Sequence, residues 1–242
     1  MAGHRQAGFG RALSYPLTTG SLTAYLRWQE ATRALISGAD QLRDLQDRRY
    51  RYAAEVGRLL TQPGPDGRAV EGPVVYGVLC GGAGLLYVGQ SADGRRRLRD
   101  LAVGESHHLA TTVPPEAWDR IVVVRWPDLL RELRQVDREA IEELPGVVKG
   151  EGLERLLQAE LKPVLNGRSR TPAGGWRPRD GALSRSRGAA AAQVLAPLHD
   201  LVRPLWHDLA YRPITGDHYY EPTGRAVLPT RLPLSAAPER MK

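Results

Sequence analysis

Residues 74–91 read Val-Val-Tyr-Gly-Val-Leu-Cys-Gly-Gly-Ala-Gly-Leu-Leu-Tyr-Val-Gly-Gln-Ser, and this stretch decides the fold. Residues 73–80 are rich in β-branched side chains, residues 81–84 bring glycines for a tight turn, and residues 85–89 are apolar again. That is the pattern of a β-hairpin. Downstream, the pattern turns helical from Gly94 through Arg95, Arg96, Arg97, Leu98, Arg99 and Leu101. Residues 121–126 predict a third strand, ended by Pro127, and helices are predicted over 128–143 and 151–161. The order strand, strand, helix, strand, helix, helix predicts an α/β sandwich: a three-stranded, mainly antiparallel sheet flanked by helices.

Upstream, Leu22, Tyr25, Trp28 and Leu35, then Leu42, Leu45, Tyr52, Val56 and Leu59, recur at helical spacing. Gly38 can end the first helix and Asp40 can cap the second, which gives an antiparallel helical hairpin. Residues 63–68 are proline and glycine punctuation, hence a boundary. After Asn166 the composition shifts. Residues 167–188 hold six arginines against Asp180 alone, and predict a flexible or long basic loop. Residues 189–209 predict a helix with a kink or break near Pro204, followed by an irregular, Pro-rich tail. Three segments follow: 1–68, lead-in and helical hairpin; 69–166, the α/β domain; 167–242, basic loop, helix and irregular tail.

The chain has 242 residues, 34 Lys plus Arg against 27 Asp plus Glu, and a net charge of +7. Lysine stands only at 149, 162 and 242, so the basic complement is almost all arginine. The single cysteine, Cys80, excludes an internal disulfide and a zinc site built on several thiolates. Residues 74–89 contain five glycines and make a poor membrane span. The N-terminus lacks the apolar core of a signal peptide. The expectation is a soluble, cytoplasmic, basic protein with no membrane partner. Arginine forks match phosphate geometry, which puts nucleic acid first among partners. An Arg-rich composition can also follow genome base composition, so charge alone does not decide function.

Within the hairpin, Tyr76 and Tyr87 lie mid-strand on opposite arms, where cross-strand packing can bring two phenols together. Gly89 ends the second arm, where a missing side chain lets a ligand approach, and Gln90 and Ser91 lead into the arginine-rich helix. Such a convergence suits a phosphate; the plainer reading is strand core and a solvated helix face. On the helix over 151–161, Leu153, Leu156, Leu157 and Leu161 share one side. Glu154 lies at the edge of that stripe and Glu160 nearer its centre, so periodicity leaves both as candidate carboxylates. One carboxylate can bind Mg²⁺ when phosphate oxygens and waters complete the shell.

Taken together, these residues resemble the GIY-YIG nuclease superfamily. Val74-Val75-Tyr76 stands at its first motif and Tyr87-Val88-Gly89 at its second. The step from Tyr76 to Tyr87 is similar to that of the N-terminal nuclease domain of bacterial excision-repair nucleases. Arg97 stands where that family keeps its catalytic arginine. Glu154, Pro163 and Asn166 reproduce its closing pattern of metal-binding glutamate, proline and asparagine. The resemblance covers about residues 72–166. The chain departs from it at Val74, where glycine is usual; at Gln90, where lysine often follows; and at Leu101, where His or Tyr is frequent. His107 and His108 come a few residues later.

The resemblance implies a metal-dependent endonuclease that hydrolyses DNA phosphodiester bonds. Glu154 would hold Mg²⁺ or Mn²⁺, and Arg97 would neutralise charge on the phosphoryl oxygens. Tyr76 would activate the attacking water, with Tyr87 or His108 relaying the proton. A phenol with a pKa near 10 needs nearby cations to lower it for that task. Asn166 would orient the phosphate or fix the end of the glutamate helix. Contacts to double-stranded DNA fall to Gly89, Gln90, Arg95, Arg96, Arg168, Arg170, Arg177 and Arg179. Duplex cutting favours a homodimer, with the N-terminal hairpin as its interface, and a restriction or defence role is preferred by analogy. The departures motivate an alternative: the same fold, catalytically altered, binding nucleic acid or acting on a small substrate. A repair or mobile-element nuclease is the third reading.

Overall fold

The computed structural model describes residues 19–104, 109–170, 176–178 and 186–232. In chain order the elements are α1 (Thr19–Ser37), α2 (Ala39–Thr61), β1 (Val74–Cys80), β2 (Gly84–Ser91), α3 (Gly94–Asp100) and α4 (Leu109–Thr112). Then follow β3 (Arg120–Val124), α5 (Gln135–Glu142), α6 (Gly146–Leu161), β4 (Arg168–Arg170), β5 (Trp176–Pro178), α7 (Arg187–Ala191), α8 (Ala196–Tyr211), β6 (His218–Glu221) and β7 (Gly224–Val227). Short 3₁₀ turns connect several of them.

The hairpin forms as its sequence predicts. β1 and β2 pair antiparallel, with Tyr76 opposite Gly89 and Val78 opposite Tyr87, and a bulge follows Val78. β3 pairs with the other side of β1. The sheet does not stop at three strands. β7 pairs with β3 and β6 with β7, both antiparallel, giving the order β2-β1-β3-β7-β6. The irregular tail expected from composition therefore contributes two strands, and the protein is a mixed α/β fold with a five-stranded antiparallel sheet flanked by helices. β7 is buried along its whole length.

Both faces of the sheet are covered, which is why β1 reads as a continuous apolar run rather than an alternation. Val75, Leu79, Val122 and Val124 point into one core with Leu153 and Leu157 of α6 and Leu198, Val202, Trp206 and Leu209 of α8. Val74, Tyr76, Val78, Ile121 and Val123 point into the other, with Tyr52, Val56, Leu59 and Leu60 of α2 and Leu98 of α3. Each fully buried Val or Leu side chain contributes roughly 1.5–3 kcal/mol of hydrophobic stabilisation. Residues before 69 and after 166 thus line the same two cores as the hairpin.

Four local expectations change. Residues 126–132 form a 3₁₀ turn, not the start of a long helix. α8 runs through Pro204 without a break. Its packing is close: a Cβ at Gly77 would lie 2.5 Å from Trp206 Cζ2. Asp40 sits inside the first turn of α2, after Gly38 as N-cap. In the basic segment, residues 168–170 and 176–178 pair as a two-stranded ribbon. No helix among the described residues is long and apolar enough to cross a membrane.

Candidate active site

β2 is an edge strand of the sheet, and the candidate site forms along it. Tyr76 reaches it from β1 and Tyr87 from β2, on the face shared with α2 and α3. Their ring centroids are 6.1 Å apart. The register makes them diagonal neighbours across the hairpin, with Gly89 directly opposite Tyr76. A Cβ at Gly89 would stand 2.6 Å from Tyr87 Cε1 and 2.8 Å from Tyr76 Oη. Glycine at 89 therefore makes room for the two phenols of the chain's own hairpin.

Asp93 starts α3 by accepting a hydrogen bond from the Arg96 backbone N–H at 3.0 Å. That cap sets the helix phase, which buries Leu98 and leaves Arg97 half-buried. Arg95 and Arg96 are exposed, beside Glu71 and Asp93. Leu101, at the position where the resembling family often keeps a titratable side chain, is fully buried in the core. It carries no proton chemistry.

α6 brings Glu154 to the same edge. Its carboxylate Oε1 accepts a hydrogen bond from Gln158 Nε2 at 2.6 Å, and the same Nε2 donates to the Val88 carbonyl at 3.1 Å. Asn166, just past α6, clasps the same peptide. Its Nδ2 donates to Val88 O at 3.1 Å, and its Oδ1 accepts from the Val88 N–H at 2.8 Å. Asn166 thus ties the turn after α6 to β2. Glu160 is separated from the site: its carboxylate lies 3.2 Å from His199 Nε2 on α8. Gln90 packs against α6, where its Oε1 lies 2.7 Å from the place of a Cβ at Gly150.

The electrostatics tie the group together. The Tyr76 phenol is pushed well above its ordinary value. Burial is the largest cause, Tyr87 raises it further, Arg97 pulls it down and Glu154 pushes it up, and a hydrogen bond with Tyr87 favours the protonated form. The expectation that nearby cations lower this phenol is thus reversed: desolvation outweighs the arginine. Both charges nevertheless act on one phenol, so Arg97 of α3 and Glu154 of α6 lie within electrostatic reach of the Tyr76–Tyr87 pair.

Among the described residues no three His, Cys, Asp or Glu side chains converge to hold a metal. Glu154 offers one hard oxygen donor set. That suits Mg²⁺ or Mn²⁺ when phosphate oxygens and water supply the remaining ligands. His107, His108 and Arg179 lie outside the described residues. For Arg168, Arg170 and Arg177 the description is of the backbone, which places them on the β4–β5 ribbon that begins two residues after Asn166. Sequence reading missed Gln158; its one signal was its position, four residues after Glu154 on the same helix. Compared with protein-family models, curated proteins and solved structures, the chain matches none.

Proposed function

We propose that this protein is a GIY-YIG-type endonuclease that hydrolyses DNA phosphodiester bonds with the help of Mg²⁺ or Mn²⁺. The observation that carries the reading is the meeting of Tyr76, Tyr87, Arg97 and Glu154 at the edge of β2, with Arg97 and Glu154 both acting on the Tyr76 phenol. Arg97 binds the scissile phosphate and neutralises charge developing on its oxygens. Tyr76 works as a neutral phenol that orients the attacking water: it takes the water's proton as its own hydroxyl proton passes to Tyr87, and half-exposed Tyr87 releases its own proton to bulk water. Glu154 would hold the divalent ion, which would supply Lewis-acid stabilisation of the charge on the phosphate. Arg95, Arg96 and the arginines of the β4–β5 ribbon contact the flanking DNA, beside Gly89 and Gln90. A restriction-type defence role is the biological setting we attach to this chemistry.

The test is cleavage of supercoiled plasmid in Mg²⁺ or Mn²⁺ by wild type, Glu154→Ala and Arg97→Ala. Cleavage by wild type alone supports the reading; cleavage that survives Glu154→Ala removes the metal assignment. Leu101 and the raised Tyr76 phenol favour one second reading, a protein of this fold that binds DNA without cutting it. Wild type that retains duplex in a gel shift yet never nicks it selects that reading.

One such site cuts one strand, and α1 supports pairing with a second copy of this chain. Its small residues Ala31 and Ala34 face inward, while Leu22, Tyr25, Leu26, Trp28 and Ile36 are exposed, Ile36 at 83%. Covering that face in a symmetric pair removes on the order of 1,000 Å² from water, the size a specific interface needs. Sedimentation equilibrium of Leu26→Glu/Ile36→Glu should give a monomer where wild type gives a dimer. A wild-type monomer at micromolar concentration, with or without residues 1–18, overturns the pairing.

A further inference from the structure

We propose that Gln158 is a positioning residue for Glu154, tying its carboxylate to β2 and so fixing its orientation for the ion. The inference rests on the nuclease reading above and adds a residue to it.

A primary amide nitrogen carries two hydrogens. Gln158 Nε2 spends one on Glu154 Oε1, at 2.6 Å, and the other on the Val88 carbonyl, at 3.1 Å. Both side chains are half-buried, unlike the solvated four-apart pairs that usually decorate helices. The bridge has two consequences. The carboxylate is fixed to β2 as well as to α6, and so moves with Gly89 and Gln90, the next residues along that strand. Asn166 clamps the same Val88 peptide from the other side, at 2.8 and 3.1 Å, so the anchor point is itself held. The carboxylate is thereby oriented before any ion or DNA arrives.

The test measures Mn²⁺ binding by electron paramagnetic resonance, with the protein bound to a duplex carrying a non-cleavable phosphorothioate. Wild type, Gln158→Leu, Gln158→Met and Glu154→Ala are compared, each with its melting temperature. Loss of an outer partner of a metal ligand typically weakens metal binding about 10–100-fold. Gln158→Leu and Gln158→Met should weaken Mn²⁺ by that factor in the folded protein, and saturating Mn²⁺ should restore most cleavage of ordinary duplex. A role in packing alone would lower the melting temperature and leave the Mn²⁺ constant unchanged; that result in either variant overturns the inference. Where one variant fails to fold, the other carries the test. If wild type binds Mn²⁺ and Glu154→Ala abolishes it while both Gln158 variants match wild type, the Gln158 inference falls and the nuclease reading stands. If wild type neither binds Mn²⁺ nor cleaves, both fall.

Discussion

The two edges of the sheet are held by different kinds of contact. An edge strand presents unpaired N–H and C=O groups that must be satisfied or shielded. At β2, side-chain amides do this: Asn166 takes both polar groups of Val88, and Gln158 shares the carbonyl. At β6 the contacts are between rings and guanidinium groups. Arg212 lies over Tyr219 and Arg225 over Tyr220, each 4.7 Å from the ring centroid. Arg225, almost fully buried, donates to the carbonyls of Leu59 at 3.1 Å and Gln62 at 2.7 Å, locking the last hairpin onto the end of α2. The first arrangement orients a few polar atoms at an edge that also carries a carboxylate and two phenols. The second cements distant segments.

Four outcomes would break or sharpen this contrast. Glu154→Ala, at the β2 edge, should lower cleavage by at least about a thousandfold, the kinetic equivalent of several kcal/mol of metal-assisted stabilisation. Its melting temperature should barely move; parallel loss of fold and activity would erase the distinction between the edges. Arg225→Ala, on β7 beside the β6 edge, should cost about 3 kcal/mol in urea unfolding, because the Gln62 carbonyl loses its donor, the Leu59 carbonyl keeps only the Tyr220 hydroxyl, and a buried side chain is removed. The folded fraction should cleave at the wild-type rate, and a specific activity defect would mean that the β6 edge reaches the site. Asn166→Ala should do some of each: a stability loss of about 1–2 kcal/mol and a measurable fall in turnover, since the Val88 N–H loses its partner.

The smallest effect concerns alkaline pH. Burial raises the phenols of Tyr52 and Tyr76 above the ordinary value of 10.0. The neutral forms are the ones the fold favours, so their contribution to stability is complete below pH 10 and declines as pH rises above it. Ultraviolet titration should show these two of the nine tyrosines ionising only with unfolding. Ordinary titration of Tyr76 in the folded protein would reopen the case for a phenolate base.

The contrast also explains what was legible in the sequence. The β1–β2 hairpin announces itself because Val74 to Leu79 are apolar on both faces and residues 81–84 supply the turn chemistry. β6 and β7 do not. His218-Tyr219-Tyr220-Glu221 is polar, the turn lies at Pro222 and Thr223 in a Pro-rich stretch, and β7 carries a buried arginine. Its burial comes from partners roughly a hundred residues earlier, which no local window contains. The same limit applies to the carboxylates. Helical periodicity offers Glu154 and Glu160 alike, and only the neighbours that α6 meets, the Val88 peptide on one side and His199 on the other, tell them apart. The Tyr76 phenol was misjudged for a related reason: arginines can be counted in a sequence, whereas desolvation depends on what packs around the ring.

The strand order carries a consequence for biosynthesis. β3 is the middle strand of the sheet, yet one of its two partners, β7, is translated about a hundred residues later: Val122 faces Ala226. At roughly 5–20 residues per second, β3 waits on the order of 5–20 s on the ribosome for that partner. A nascent chain truncated before β7 exposes an apolar strand edge at β3, a template for aggregation or degradation. Closure of the sheet therefore waits on the synthesis of β7, long after its own middle strand has left the ribosome.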